Sequence, residues 1–179
     1  MSILIVKSLT VVNKNTSQIL LDNVSFILEK GTTLGIVGES GSGKTLTGLS
    51  ILGLLDQSVF KIIQGSIIYN GADMLQFSES QYQKIRTKSI SIVFQEPMLS
   101  LNPVQKIATQ LNEVIRLHLN NDLSKEHLIA EEILIKTGLD DTHKILDSYP
   151  HMLSGGQRQR VMIAIALVCN PDILIADEP

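Results

Sequence analysis

A single cysteine, no tryptophan and an aromatic content of only 4% mark what this 179-residue chain does without. The lone thiol, Cys169, excludes an internal disulfide and any cluster of thiolate metal ligands. Its place at the end of the apolar run Val161 to Val168 reads as a buried, unreactive sulfur. No apolar run approaches the roughly 18 residues that a membrane-spanning helix needs. The opening Met-Ser-Ile-Leu-Ile-Val-Lys lacks the basic start, long apolar core and cleavage site of a secretory signal, so the expectation is a soluble chain. Charge of either sign is also scarce: a formal net charge of −3 gives no global reason to expect nucleic acid. Lys84, Arg86 and Lys88 read as a solvated face. His118, His127, His143 and His151 share no metal-ligand spacing and read as surface or core residues. What is present is apolar residue, 44% against 18% charged, enough to bury a core as one domain or as a domain with a subdomain. There is no internal repeat and no low-complexity segment.

Residues 33–45 read Thr-Leu-Gly-Ile-Val-Gly-Glu-Ser-Gly-Ser-Gly-Lys-Thr, with Gly38, Gly43, Lys44 and Thr45 in the spacing G-x-x-x-x-G-K-[ST]. Leu34, Ile36 and Val37 predict a short strand, and a helical pattern begins at Lys44. Between them the glycines let the backbone turn tightly enough to point N–H groups inward. Such a segment is a phosphate cradle. Amides at a helix start attract anions, Lys44 reaches the outer phosphates, and the Thr45 hydroxyl is a magnesium ligand. Four specified positions arising by accident in a chain this long is roughly a one-in-a-hundred event.

Two strands are predicted at Ile3 to Val12 and Ile19 to Leu28, separated by the turn-forming Asn13 to Ser17 and forming a small antiparallel layer against the strand that enters the loop. After the loop a helix carries Leu46, Leu49, Ile51, Leu52 and Leu55 and breaks near Gly53 and Asp56. Gly65 to Tyr69 is a strand closed by Asn70-Gly71. Ser89 to Phe94 reads as a core strand delivering Gln95, and the two prolines of Glu96 to Pro103 exclude regular structure there. Helical periodicity then places Val104, Ile107, Ala108, Leu111, Val114, Ile115 and His118 on one face. A second helix runs from a Ser124 cap to Gly138 with Leu128, Ile129, Ile133 and Leu134 on one side. Leu153-Ser154-Gly155-Gly156-Gln157 opens a helix over Arg158 to Val168. Asn170-Pro171-Asp172 breaks it, and a buried strand, Ile173 to Ala176, ends in Asp177-Glu178-Pro179.

Taken together, the loop, Gln95 after a strand, the pentapeptide Leu153 to Gln157 and the strand ending in Asp177-Glu178 resemble the ATPase subunits of ATP-binding-cassette transporters, in that family's order. The wording around Gly38 to Lys44, Gln95 to Pro103 and Leu153 to Ala164 is similar to the subgroup that imports oligopeptides, dipeptides and nickel. The resemblance implies an α/β fold: a P-loop NTPase core with a RecA-like parallel sheet, an N-terminal antiparallel β layer and an inserted α-helical subdomain. Residues 1–95 and 158–179 would form the nucleotide-binding core. Residues 96–157 would carry the segment after Gln95, the helical subdomain and the signature. ATP and Mg2+ are the implied cofactors.

By the same resemblance, Gly38, Glu39, Ser40, Gly41, Ser42, Gly43, Lys44, Thr45, Leu46 and Gln95 bind nucleotide. Thr45, Gln95 and Asp177 hold the metal, and Glu178 polarises the attacking water. Leu153, Ser154, Gly155, Gly156 and Gln157, with Arg158 and Arg160 just behind, meet the γ-phosphate of a second ATPase subunit. That subunit, identical or not, sits head to tail, so that two cassettes sandwich two ATPs. Further implied partners are transmembrane permease subunits, docking where Glu96 to Pro103 and the helical insert lie, and indirectly an extracytoplasmic substrate-binding protein. The implied location is peripheral, on the cytoplasmic face of the bacterial cell membrane.

Two departures from the family stand out. Its members stack an early aromatic on adenine, whereas the first aromatic here is Phe26, inside a predicted core strand. Asn13 stands where the ring is expected, so base recognition is weakened or left to aliphatic contacts. The family also continues past Glu178 with an interface loop and a histidine-bearing strand, whereas this chain stops at Pro179. The expectation is a fragment or truncated gene product that hydrolyses ATP at background rate even with a partner. Competing readings are a non-catalytic relic and a cassette ATPase acting on DNA or ribosomes. The long coiled-coil or zinc-bearing inserts and the paired cassettes that mark the last kind are not seen.

Overall fold

The computed structural model describes residues 1–94, 101–119 and 125–177, which divide into two compact units, Met1–Gln83 and Lys84–Pro179. In the first unit, alternation of apolar and polar residues produces β1 (Ser2–Asn13) and β2 (Ile19–Glu29), paired antiparallel. The connecting turn is closed by Asn13, whose Oδ1 accepts the amides of Asn15 at 2.8 Å and Thr16 at 3.2 Å. Asn13 is thus a turn-forming residue, bonding its own neighbours. β3 (Phe60–Tyr69) pairs with the other edge of β1 and turns at Asn70-Gly71, both at positive φ, into β4 (Ala72–Asp73). The sheet order is β2-β1-β3-β4. Val6, Leu9, Val11 and Ile67 are fully buried in it, whereas β2 buries Leu21 and is otherwise half-buried or exposed. Phe26 therefore lies on a half-buried edge strand and not in the core.

The strand predicted over Leu34 to Val37 is not formed. Residues 32–39 have no regular structure, and Leu34, Ile36 and Val37 are 42%, 49% and 96% exposed. An apolar run becomes a strand only where neighbouring strands take up its N–H and C=O groups, and the antiparallel sheet of this unit closes without it. The antiparallel layer consequently has no such strand to lie against. Helix α1 (Lys44–Ile51) follows the loop and stops at Leu52, with Gly53 at φ 62°. A short helix the periodicity missed, α2 (Glu79–Ile85), packs Tyr82 into this unit.

The second unit is helical around a short parallel sheet. β5 (Ile90–Val93) and β6 (Ile173–Ala176) pair in register from Ile90 with Ile173 to Val93 with Ala176. Between them come α3 (Ile107–Leu119), α4 (Glu126–Lys136), α5 (Thr142–Asp147) and α6 (Gly155–Leu167). Their common core includes Ile107, Leu111, Ile115, Ala130, Leu134, Ile145 and Val161, while Met162 and Ala166 of α6 meet Val93. Each fully buried aliphatic side chain of this kind contributes about 1.5–3 kcal/mol. Three expectations change here. Leu128 is exposed, and α4 turns Glu126 and Ala130 inward in its place; Val104 precedes α3 and is also exposed. β6 buries Ile173 alone, with Leu174 exposed, so it is not buried along its length. Ser124, the expected cap, lies outside the described residues.

Candidate functional site

The glycine-rich loop turns into helix α1 at Lys44, where the helical pattern of the sequence begins. Gly43 is the N-cap of α1, at φ 95°, ψ 8°, a left-handed conformation that an L side chain resists. A Cβ there would also come within 2.3 Å of Leu21 Cδ2. With glycine at the cap there is no capping side chain, and no acid stands in the first turn. The first bond into the helix backbone is donated by Thr47 N to Gly43 O, at 2.9 Å. The amide end of the macrodipole is therefore not compensated by an acid of its own helix. Lys44 Nζ folds back over the loop, donating to Gly38 O at 2.8 Å and Glu39 O at 2.9 Å. Residues 38–42 and Thr45 are exposed and Leu46 is half-buried. An ammonium, a hydroxyl and a helix start thus share one open surface, a donor set that fits a polyphosphate. A cleft of about 340 Å³ in this unit, between Lys14, Ser50, Phe60, Phe77 and Tyr82, is lined by none of the residues 38–45.

In the other unit, Leu153 is buried and Ser154 caps α6 in a full capping box. Ser154 Oγ accepts the Gln157 amide at 3.3 Å, and Gln157 Oε1 accepts the Ser154 amide at 2.9 Å. Gly155 and Gly156 form the exposed first turn, and a Cβ on either would meet nothing within 4 Å. The fold itself therefore leaves room for larger residues at both. Arg158 is half-buried, and Arg160 donates to Gly138 O at 2.8 Å, tying α6 to the end of α4. Asp177 follows β6 half-buried, its amide extending the ladder to Val93 O at 3.0 Å. Gln95 and Glu178 lie outside the described residues, as does most of the irregular segment from Glu96.

His127 and His143 are surface residues, as expected, but they lie beside one carboxylate. His127, Glu131 and His143 place one ligand atom each within 4.8 Å of one another. The i,i+4 spacing of His127 and Glu131 was the readable signal; His143 joins only through the packing of α5 on α4. His151 stacks on Tyr149, centroids 5.7 Å apart, and His118 is half-buried.

The family model described as ABC transporter matches residues 21–179. This chain belongs to the ABC transporter family. It is 51% identical over 159 residues to the oligopeptide transport ATP-binding protein AppD of Bacillus subtilis, covering 89% of this chain and 48% of that protein. It is 45% identical over 161 residues to the oligopeptide transport ATP-binding protein OppD of Escherichia coli, covering 89% and 47%. The chain thus spans about half the length of these curated relatives. Among solved structures, a bacterial ABC transporter cassette seen as a dimer superposes with a TM-score of 0.80 at 30% identity, covering 97% of this chain and 72% of that one. The cbiO1 protein of Clostridium perfringens, part of an ABC transporter complex, superposes with a TM-score of 0.80 at 27% identity, covering 99% and 66%. The α/β fold of a P-loop NTPase, with its antiparallel layer and helical insert, is the fold of these cassettes. Among the described residues no helix is long and apolar enough to cross a membrane.

Proposed function

We propose that this chain is the nucleotide-binding part of a bacterial peptide importer, converting ATP binding and hydrolysis into transport through partner membrane subunits. The observation that carries the reading is the left-handed glycine turn at Gly43 that opens a helix at Lys44 with no acid in its first turn, inside a segment about half identical to an oligopeptide transport ATP-binding protein. Phosphoryl transfer to water asks for positioning and charge neutralisation more than covalent chemistry. Lys44 and the loop amides hold the β- and γ-phosphates. Thr45, Gln95 and Asp177 are the groups to hold Mg2+, which when bound neutralises charge between those phosphates. Glu178 orients the attacking water as general base. Residues 1–95 and 158–179 serve as the nucleotide core, with 96–157 as the surface that signals to a permease.

The relatives' names favour peptides as cargo, with nickel or other metal chelates a further member of the same subgroup. Such a subunit works at the cytoplasmic face of the membrane, paired head to tail with a second ATPase subunit. The test is equilibrium binding of a fluorescent ATP analogue with Mg2+. Lys44→Ala is expected to weaken binding at least tenfold, with circular dichroism as the check that the fold is kept; the ammonium's contacts to Gly38 O and Glu39 O both lie in the exposed loop. Equal affinity in both proteins would overturn the assignment of the loop.

A further inference from the structure

A cluster outside the nucleotide machinery has its own chemistry. His127 and Glu131 stand one turn apart on α4, and α5 brings His143 to the same place. Nε2 of His127 lies 3.5 Å, and Nε2 of His143 3.3 Å, from a single carboxylate oxygen, Glu131 Oε1. The two imidazoles are neighbours, with centroids 5.6 Å apart and planes tilted by 44°. That oxygen is shut off from solvent and accepts no hydrogen bond among the described residues. A buried carboxylate oxygen without a donor is costly, so its burial between two nitrogens asks for an explanation.

Hydrogen bonding does not supply one, because N–H···O bonds gather near 2.9–3.0 Å with near-linear geometry. Two charged imidazolium rings side by side would repel each other. A cation between the three atoms answers both points. Zinc sits about 2.0–2.1 Å from imidazole nitrogen and carboxylate oxygen in tetrahedral sites, which separates the ligand atoms by about 3.3–3.4 Å. The two histidine–glutamate separations, 3.3 and 3.5 Å, lie at that edge, and all three ligand atoms are within 4.8 Å of one another. Two imidazoles and one carboxylate suit a transition cation of the zinc class, whereas Mg2+ and Ca2+ prefer all-oxygen sites. Three protein ligands leave a fourth position for water.

We propose that His127, Glu131 and His143 form a binding site for one zinc-class divalent cation, which pins α5 to α4 in the helical part of the cassette. By binding the folded state alone, the cation raises its stability through mass action. The site shares no residue with the nucleotide assignment, and its test needs neither ATP nor hydrolysis. Zinc is titrated calorimetrically into the chain, with millimolar Mg2+ present to occupy oxygen-ligand sites. The expected result is one Zn2+ per chain at micromolar or tighter affinity, with tetrahedral visible absorption when Co2+ replaces it. His127→Ala and His143→Ala are each expected to weaken binding at least tenfold. Both side chains are largely exposed, 54% and 82%, so neither truncation opens a cavity in the core. Absence of binding up to about hundred-micromolar zinc, or an affinity that either substitution leaves unchanged, overturns the site.

Discussion

His118 sits half-buried near the end of α3, and two causes hold its pKa below the ordinary histidine value: burial, the larger, and then the positive charge of Lys88. A base whose pKa is lower folded than unfolded binds more protons when unfolded. Stability is therefore lost as pH falls through the ordinary histidine range near 6.5 toward the folded value. Proton-detected titration is expected to place the His118 midpoint below that range, and Lys88→Gln to return it only part of the way, because burial remains. A midpoint that returns fully in Lys88→Gln would reverse the order of the two causes. Residue-scale chemistry was legible where it is written in adjacent letters. Gly43, Lys44 and Thr45 announce the turn into α1 because they are consecutive in the chain, and Cys169 is buried as its apolar surroundings imply, with its thiol pushed up by that burial. The His127, Glu131 and His143 cluster was not legible, because the third member arrives from a different helix.

At the scale of elements, α3 and α4 are joined by a contact that hydrophobic periodicity could not foresee. Arg116 Nε donates to both oxygens of Glu126, at 2.7 and 2.8 Å, and Nη2 lies 2.7 Å from Oε2. The Glu126 side chain is only 4% exposed. Burying an acid at the start of α4 sets which face of the helix turns inward, and for that reason Leu128, apolar by composition, points out. Arg116→Ala would leave a carboxylate buried without its bidentate partner, and such one-sided deletions are strongly destabilising. The expected outcome is a melting temperature lower by several degrees. Lys106→Ala, which removes the pair with Asp147 where both side chains are open to solvent, should change it little. Thermal unfolding of the two variants side by side decides the point; equal shifts would deny the Arg116 pair its buried character. Long alternating or helical stretches such as β1, β2 and α3 were readable to within a few residues. The stretch Leu34 to Val37 was misread because strand formation depends on a partner and not on composition. Helices α2 and α5 span two turns or fewer, too short to show a period.

For the whole molecule, the informative residues are those whose identity the fold does not require. Gly155 and Gly156 occupy the first turn of α6 with open space where a Cβ would stand. Glycine within a helix is destabilising by roughly 0.5–1 kcal/mol relative to alanine. The folded chain would thus be more stable with alanine at Gly156, and keeping glycine makes sense if something from outside approaches that backbone closely. A second cassette placed head to tail, presenting its bound γ-phosphate to the amides of this turn, is such an approach. The argument predicts opposite effects of one substitution on two measurements. Gly156→Ala should raise the melting temperature of the chain by a few degrees and leave its affinity for ATP unchanged, because the phosphate loop belongs to the other compact unit. In sedimentation velocity with MgATP, using a Glu178→Gln background to slow turnover, the same substitution should weaken association with the partner ATPase subunit at least tenfold. Association as strong as that of the unsubstituted signature would mean that the first turn of α6 does not meet a neighbour, and the proposal of a composite site would fail while the phosphate loop stood.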